Sequence, residues 1–263
     1  MGKYRISVLM GIYNCAPTLQ EALDSLYAQT YQNFKIILCD DGSNDNTLKI
    51  AEENARLHDN VMVIKNSQNM GLNYTLNHCL KYADTEFCAR MDGDDTCAPT
   101  RLETEINFLD EHPEYAIVSV CMNHFDEGGI FRTGHSCGEP KPTDYPKGVP
   151  FNHAPCMVRT AAYKAVGGYT VSEKLKRQED YELWIKMYVK GFRGYMINQP
   201  LYNMRDDRNA FARRNWISRR NEAYVKYLAC RRLRLPLTSY IYCLKPIILY
   251  CLPQWLYKKL HNR

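Results

Sequence analysis

The sequence predicts an α/β protein with a Rossmann-like, three-layer α/β/α architecture, in which helices cover both faces of a mostly parallel central sheet. Short apolar segments alternate with longer polar or amphipathic segments up to about residue 91, as a parallel sheet with covering helices requires. A polar loop follows each apolar segment. The 263 residues, 45% hydrophobic and 24% charged, suit one large globular domain with or without an appendage.

The elements of the first half can be placed in order along the chain. The predicted strands are residues 5–10, 34–39, 61–64 and 86–91. A capping box from Thr18 to Glu21 predicts the start of a helix whose buried face carries Leu19, Ala22, Leu23 and Leu26. A polar helix ending near His58 follows the second strand, and a helix carrying Leu72, Leu76 and Leu80 follows the third.

The second half begins with a less regular segment. Residues 127–155 are rich in glycine and proline and show no sustained periodicity, which predicts a long excursion that shapes a binding site. Regular structure is predicted again from residues 166–169, followed by a helix around residues 178–184.

Polar and acidic side chains follow the predicted strands where each strand ends. Ligands of parallel α/β sheets bind at the carboxyl ends of strands, so these residues are expected to form the site. They are Asn14, Asp40, Asp41, Asn69, Asp92, Asp94 and Asp95.

The acidic segment Asp92-Gly-Asp94-Asp95 allows more than one interpretation. Three carboxylates at one strand end repel each other, and a hard divalent cation such as Mg²⁺ or Mn²⁺ relieves that repulsion. The same letters, Asp92-x-Asp94-x-Thr96, also match the nucleophile motif of haloacid-dehalogenase-like phosphatases. That motif belongs on an early strand, whereas three strand-helix units precede it here. A solvated acidic turn is the third interpretation.

Several motifs follow one another along the chain. They are Tyr13-Asn14, Asp40-Asp41-Gly42-Ser43, Asn69-x-Gly71, Ala89-Arg90-Met91-Asp92-Gly93-Asp94-Asp95, Gly167-Gly168-Tyr169, and the segment from Glu179 to Trp184. In this order they resemble the motifs of an inverting family 2 glycosyltransferase with the nucleotide-diphospho-sugar transferase (type A) fold, of the kind that builds bacterial capsule or lipopolysaccharide. The resemblance covers about residues 4–202, and one departure is Gly11, where the family usually has proline.

The resemblance implies a role for each matching residue on the donor side. Residues expected to bind the donor nucleotide are Ile12, Tyr13, Asp41, Asn69 and Asp92. Among them, Ile12 and Tyr13 would line the base pocket, Asp41 would accept from a uracil N–H, and Asp92 would bind the ribose. Asp94 would coordinate the Mn²⁺ or Mg²⁺ that bridges the two phosphates.

On the acceptor side the resemblance implies that Asp180 is the general base for the acceptor hydroxyl. Glu179 is then either a second functional carboxylate or a charge at the start of a helix. Asp95 is either a metal ligand or a cap for a helix beginning near Pro99. His153 lies either near the acceptor or in a structural position, and Arg205 either approaches the diphosphate or lies on the surface.

The implied activity is metal-dependent transfer of a sugar, with inversion, from a nucleotide diphosphate, in particular a UDP-sugar, to a saccharide or lipid-linked saccharide acceptor during surface polysaccharide biosynthesis. The alternatives are the phosphatase named above and a non-catalytic sugar-nucleotide-binding protein. No Gly-x-Gly-x-x-Gly or phosphate-loop pattern supports dinucleotide or P-loop chemistry.

The C-terminal region differs from the rest of the chain in charge. Residues 205–263 carry 14 Lys and Arg against 3 Asp and Glu, whereas residues 1–204 carry 20 against 26. We therefore predict a catalytic domain at 1–204 and a basic, aromatic helical extension at 205–263. Two short interfacial helices are expected after residue 233, flanked by Arg231-Arg232 and Lys258-Lys259.

The extension is expected to meet either an anionic membrane surface or a second copy of the chain. No nucleic-acid-binding signature accompanies its basic residues. Eleven scattered cysteines without Cys-x-x-Cys spacing favour a reducing cytoplasm. We expect a cytoplasmic protein that can be peripheral on the inner face of the cell membrane.

Overall fold

A computed structural model of the chain describes residues 3–206 and 215–251. Within these residues nine strands form one sheet, in the spatial order β3-β2-β1-β4-β8-β6-β9-β5, with β7 paired to β6. The strands are β1 (Ile6–Ile12), β2 (Phe34–Asp40), β3 (Val61–Lys65), β4 (Phe87–Arg90), β5 (Thr96–Cys97), β6 (Tyr115–Asp126), β7 (Gly129–Thr133), β8 (Met157–Arg159) and β9 (Arg193–Arg205).

Most strands of the sheet point in the same direction. Strands β1 to β4 pair in parallel, β8 runs antiparallel between β4 and β6, and β6 pairs with β9 in parallel. The predicted mostly parallel α/β sheet is therefore confirmed. The carboxyl ends of β1, β2, β3 and β4 consequently meet at one edge.

Helices cover both faces of this sheet. The described α-helices are α1 (Leu19–Tyr27), α2 (Thr47–Leu57), α3 (Leu72–Leu80), α4 (Arg101–Glu111), α5 (Thr160–Val166), α6 (Glu179–Val189), α7 (Trp216–Arg232) and α8 (Lys245–Cys251). Alternate residues of β1 face opposite layers: Leu9 joins one buried cluster, while Val8 and Met10 join the other. This period-two alternation places one core on each side of the sheet.

The predicted capping box at α1 does not form. The helix begins at Leu19 as expected, but the Thr18 side chain makes no cap hydrogen bond. Its hydroxyl donates instead to the carbonyl oxygens of Cys15, at 3.2 Å, and Gly93, at 3.0 Å. Glu21 pairs with Arg205 at 2.7 Å rather than reaching back to the helix start. Tertiary contacts with the acidic loop thus replace the local cap.

Strands β1 and β2 are longer than the sequence pattern predicts. Both continue to the polar loop, with Ile12 opposite Asp40 in the register. The amide of Asp41 then donates to the carbonyl oxygen of Ile12 at 2.9 Å. Because the two strands stay paired up to this point, the sheet fixes the positions of the loop residues that follow them.

The excursion at 127–155 contains one strand, β7, which forms a hairpin with β6. Beyond the hairpin the segment is irregular except for a single 3₁₀ turn, Pro142–Asp144. Two of its aromatic residues are buried: Phe151 contacts Trp184 edge to face at 5.6 Å, and Tyr145 packs against Tyr188 at 4.8 Å. The excursion is therefore anchored on α6.

Within residues 215–251, the C-terminal region contains α7, a 3₁₀ helix (Leu237–Cys243) and α8. The prediction of two short helices after residue 233 agrees with the last two elements, whereas the flanking Lys258 and Lys259 lie outside the described residues. In the part of the chain that the structure describes, no helix has the length and apolar character needed to cross a membrane.

Candidate active site

Two loops at the carboxyl ends of β2 and β3 are tied together by Asp41. Its Oδ1 accepts from Asn66 Nδ2 at 2.7 Å and from the Met70 amide at 2.8 Å, and its Oδ2 accepts from the Gly71 amide at 2.9 Å. Gly42, with φ of +75°, permits this contact, because a Cβ there would lie 2.8 Å from the backbone of Gln68. The loop after β2 and the loop after β3 are therefore fixed relative to each other.

The predicted nucleotide-binding residues lie on or beside these loops. Asn69 is exposed in the loop after β3, and Tyr13 is 44% exposed after β1. Ile12 is 1% exposed, so its side chain packs beneath the loop and not on its surface. The adjacent Asn14 has φ of +48° and accepts from the Asn44 amide at 2.9 Å, which joins the β1 and β2 loops.

The acidic segment after β4 packs directly against the β1 loop. A Cβ at Gly93 would lie 2.8 Å from Cys15 Sγ and 3.1 Å from Ile12 Cγ2, so only glycine allows this approach. The carboxylates of Asp92, Asp94 and Asp95 converge, with one oxygen from each lying within 4.8 Å of the others. The exposure differs: Asp94 is exposed, Asp92 is intermediate and Asp95 is buried.

Asp95 is held in place from β9. Its Oδ2 accepts from the Tyr202 hydroxyl at 2.8 Å, and its Oδ1 accepts from the Arg205 amide at 2.8 Å. It does not cap a helix, because α4 begins at Arg101 after Thr100. Burial, together with the charges of Asp92 and Asp94, raises the pKa of Asp95.

Arg205 lies against the acidic segment and not on a remote surface. Its Nε donates to the Asp94 carbonyl oxygen at 3.1 Å, and its Nη2 pairs with Glu21 at 2.7 Å. The guanidinium also lies over the ring of Phe125, 4.6 Å from its centroid. The structure thus brings Arg205 beside Asp94 and Asp95.

Arg90 is a central residue to which the sequence interpretation gave no role. It is 4% exposed, and its Nη2 pairs with Asp92, while its Nε has no hydrogen-bond partner among the described residues. Its positive charge also acts to lower the pKa values of three groups on the other side of the site, which are Glu179, Asp180 and His153. A cation in an otherwise apolar strand, two residues before an acidic motif, was the available sequence signal.

The predicted general base lies at the start of α6. Asp180 is partly buried in the second residue of the helix, and Glu179 is the first. Burial raises the pKa of Asp180, against the opposing effect of the Arg90 charge. Burial also raises the pKa of Glu179, to which the charge of Asp180 adds, and Glu179 Oε2 has no hydrogen-bond partner in the described part of the chain.

His153 contacts the same region from the excursion. Its Nε2 lies 2.8 Å from the Tyr169 hydroxyl, and its ring meets Trp184 edge to face at 6.0 Å. Burial and the positive charge of Arg90 hold the pKa of His153 well below its ordinary value. The imidazole is therefore neutral and well packed, on the side of the site where Asp180 lies.

The donor set at the acidic segment fits a hard divalent cation. Three carboxylates offer oxygen ligands from one short loop, and Mg²⁺ and Mn²⁺ prefer such ligands. Burial is the main cause of the raised pKa of Asp95, and a cation would relieve the part that comes from the charges of Asp92 and Asp94.

Comparison with known proteins agrees with this geometry. The family model described as "Glycosyl transferase family 2" matches residues 7–166. EpsE of Bacillus subtilis, whose name assigns it to the glycosyltransferases, is 41% identical over 260 residues, which cover 98% of this chain and 94% of EpsE. The Escherichia coli UDP-Glc:α-D-GlcNAc-diphosphoundecaprenol β-1,3-glucosyltransferase WfaP is 28% identical over 193 residues, 73% of this chain and 74% of WfaP.

Solved structures show the same fold. TarS 1–349 of S. aureus in complex with UDP-GlcNAc gives a TM-score of 0.72 at 20% identity, covering 98% of this chain and 74% of that one. The mannosyltransferase PcManGT of Pyrobaculum calidifontis, in complex with GDP-Man and Mn²⁺, gives 0.64 at 16% identity, covering 99% and 84%. The predicted type A fold is confirmed by these likenesses. The matched family model and the identity with EpsE show that the chain belongs to glycosyl transferase family 2.

Proposed function

We propose that this chain is a metal-dependent, inverting glycosyltransferase that moves a sugar from UDP to a hydroxyl of a glycan or lipid-linked saccharide in surface polysaccharide biosynthesis. The observation that carries the proposal is the acidic cluster against the β1 loop, joined electrostatically through Arg90 to Asp180. The UDP-GlcNAc complex of TarS and the UDP-Glc and diphosphoundecaprenol in the name of WfaP support this choice of donor and acceptor.

The donor nucleotide lies over the β1, β2 and β3 loops in this proposal. Tyr13 offers an exposed ring to the base, and Asn69 and Asp92 offer polar groups to the nucleotide. Asp41 can accept from a uracil N–H, because among the described residues its Oδ2 accepts only from the Gly71 amide, and a carboxylate oxygen can accept more than one hydrogen bond.

The cation, Mn²⁺ or Mg²⁺, would be held by Asp94 with Asp92 and Asp95 beside it. When bound, it supplies Lewis-acid stabilisation of the negative charge on the departing diphosphate. Arg205 adds a positive charge next to the same carboxylates and ties β9 to them. The Mn²⁺ in the PcManGT complex supports metal use.

Asp180 acts on the acceptor side as the general base. Its raised pKa makes it a better proton acceptor than an ordinary aspartate, which general-base catalysis favours. It removes the proton of the attacking hydroxyl, and the bond to the diphosphate breaks on the opposite face of the sugar. One displacement inverts the anomeric configuration and needs no second nucleophile.

Two alternative functions, a phosphatase and a non-catalytic sugar-nucleotide-binding protein, are less well supported. Family membership overturns the phosphatase interpretation, because Asp92 belongs to the motif of a glycosyltransferase and follows three strand-helix units. No observation specifically favours a non-catalytic sugar-nucleotide-binding protein, and the convergence of Asp94, Arg90 and Asp180 favours catalysis over binding alone.

We extend the proposal to residues 205–263 as a basic, aromatic helical extension of a catalytic domain at 1–204, with Val225 and Ala229 of α7 in the same buried cluster as Leu9 of β1. Leu237 is 86% exposed, Ile241 67% and Ile248 56%, which leaves an apolar surface on the last two helices. This surface suits either an anionic membrane on the cytoplasmic side of the cell or a second copy of the chain.

The test is thermal stabilisation by UDP with Mn²⁺ or Mg²⁺, in wild type and Asp94→Asn. A ligand at 100 times its Kd stabilises the folded chain by about 2.7 kcal/mol, and the variant should lose the metal-dependent part of that gain. Asp59→Asn, an exposed residue before β3 at the opposite edge of the sheet, is the matched control. Equal stabilisation of wild type and Asp94→Asn would contradict the metal assignment.

A further inference from the structure

Arg90 is a buried cation at the end of β4, and the backbone around it is fixed from two sides. Its amide donates to the carbonyl oxygen of Cys156 at 2.9 Å, and its own carbonyl oxygen accepts from Arg101 Nη2 at 2.8 Å. Residues two apart in a strand share a face, so the Arg90 side chain lies on the side of Cys88, which belongs to the core cluster with α5 and α6. The strand therefore holds this guanidinium in a defined place.

The guanidinium of Arg90 keeps a buried donor unused. The residue is 4% exposed, and within the described residues its Nη2 pairs with Asp92 while its Nε has no partner. Two hydroxyls that act electrostatically on Arg90 are engaged elsewhere. The Tyr169 hydroxyl bonds with His153 Nε2 at 2.8 Å, and the Tyr202 hydroxyl donates to the acidic segment at 2.8 Å. Because a buried donor without an acceptor is costly, we expect it to meet a group that the chain does not supply.

The position of Arg90 indicates which group that is. Its pairing with Asp92 places the guanidinium beside the acidic segment, where Asp94 is proposed to hold the cation and the diphosphate. The guanidinium of Arg205, which also lies beside Asp94, is already engaged by the Asp94 carbonyl oxygen and by Glu21. Arg90 therefore offers an unused donor next to the proposed place of the diphosphate.

The charge of Arg90 also suits an anion at this place. It acts on Asp92 and Asp94 in the acidic segment and on Glu179 and Asp180 at the start of α6. A diphosphate entering among these carboxylates is repelled by them, and a buried guanidinium offsets part of that repulsion. Arginine in particular presents a fork of N–H groups that fits phosphate oxygens.

Resting on the proposed function, we infer that the Arg90 guanidinium binds a β-phosphate oxygen of the sugar nucleotide and stabilises the diphosphate as it leaves. In the transfer, the bond from the anomeric carbon to the β-phosphate oxygen breaks, and its electron pair stays on that oxygen. The acceptor oxygen forms the new bond to the anomeric carbon, and its proton passes to Asp180. Arg90 is a hydrogen-bond donor and a fixed positive charge throughout.

Two variants of Arg90 test this contact. Arg90→Met keeps the approximate length of the side chain and removes both the charge and the donors, whereas Arg90→Lys keeps the charge and removes the Nε donor. The side chain of Asp92 is 31% exposed, so water can solvate it when its partner is lost. Arg159→Lys is the matched control, because Arg159 is opposite Phe87 at the other end of β4 and donates to backbone carbonyl oxygens there.

The affinities for UDP and UMP are compared by calorimetry on the full chain with saturating Mg²⁺, since only UDP carries the β-phosphate. We expect Arg90→Met to lower the preference for UDP over UMP roughly 10- to 100-fold, the usual loss for a hydrogen bond to a charged group. Arg90→Lys should lower it less, and Arg159→Lys should match wild type. If Arg90 only positioned Asp92, whose proposed partner is the ribose of both nucleotides, both affinities would fall equally.

Three results would overturn the inference: both Arg90 variants keep the preference of wild type, Arg159→Lys loses it equally, or only the affinity for UDP-GlcNAc falls, which would place the donor on the sugar. Thermal melting checks that each variant is folded, and Arg90→Lys decides if Arg90→Met is not.

The proposed function and this inference fail in different ways. If wild type binds neither UDP nor UMP, the proposed UDP donor fails, and GDP and GMP then test the phosphate contact with another base. If wild type prefers UDP and the Arg90 variants prefer it equally, the inference alone fails.

Discussion

Replacing Asp180 with asparagine separates chemistry from binding. The substitution keeps the shape of the side chain at the start of α6 and removes the proton acceptor. Asp180 lies apart from the β1, β2 and β3 loops, on α6, so the affinity for UDP should be nearly unchanged. Because a general base acts mainly in the transition state, turnover should fall while donor binding persists.

The expected loss of turnover in Asp180→Asn follows from the usual contribution of a general base and from the environment of the Asp180 carboxylate. General-base catalysis contributes about 10²- to 10⁴-fold, which corresponds to about 2.7–5.4 kcal/mol of transition-state stabilisation at 1.36 kcal/mol per tenfold. Burial raises the pKa of Asp180, which strengthens it as a base, whereas the hydrogen bond from the Tyr181 amide and the charge of Arg90 limit that rise. We therefore expect a loss of roughly 10²-fold or more in the rate of sugar transfer.

The assay is nucleotide release from a panel of UDP-sugars with a saccharide or lipid-linked acceptor, alongside calorimetric binding of UDP. Glu179→Gln is the neighbouring control, and it should lose much less activity because its Oε2 has no hydrogen-bond partner in the described residues and no assigned proton transfer. Normal transfer by Asp180→Asn would place the base elsewhere. Loss of UDP binding would make Asp180 a donor-site or structural residue.

Two further predictions concern stability and the C-terminal region. Burial holds the pKa of His153 in the folded chain below its ordinary value of 6.5. The contribution of His153 to stability is therefore fully present above about pH 6.5 and decreases as the pH falls below that. His153→Gln should therefore lose less stability between pH 7 and pH 5 than wild type, and identical pH profiles would show that this histidine is not the sensor. Leu237→Glu should reduce cosedimentation with anionic liposomes, or dissociate a dimer seen by light scattering, while Leu57→Glu, on an equally exposed leucine of α2, should do neither. Monomeric wild type without liposome binding would exclude both roles for the surface.

The order of elements in the first half was readable from the sequence because its signals are local. Strands β1 to β4 are short apolar runs, and α1 shows apolar residues at helical spacing. The convergence of Asp92, Asp94 and Asp95 was also predictable, because the three residues lie in one short loop after β4, at the edge where the parallel strands end. The roles of individual residues at that edge stay predictions until the variants above are measured.

Other features depend on contacts between residues far apart in the chain. Thr18 bonds to Gly93 instead of capping α1, and Asp95 receives its hydrogen bonds from Tyr202 and Arg205, more than a hundred residues later. No local pattern predicts such pairs, because they form only when β9 pairs with β5, next to the acidic segment.

By itself the sequence determined the fold class and the acidic edge of the sheet, since periodicity and strand order follow from near neighbours along the chain. Only the tertiary structure decided that Arg90 pairs with Asp92 and acts electrostatically on Asp180, and that α7 lines a cavity beside Asp180. The reason is physical. The effect of a charge depends on its burial and on its distance from other charges, and both are set by packing between distant segments.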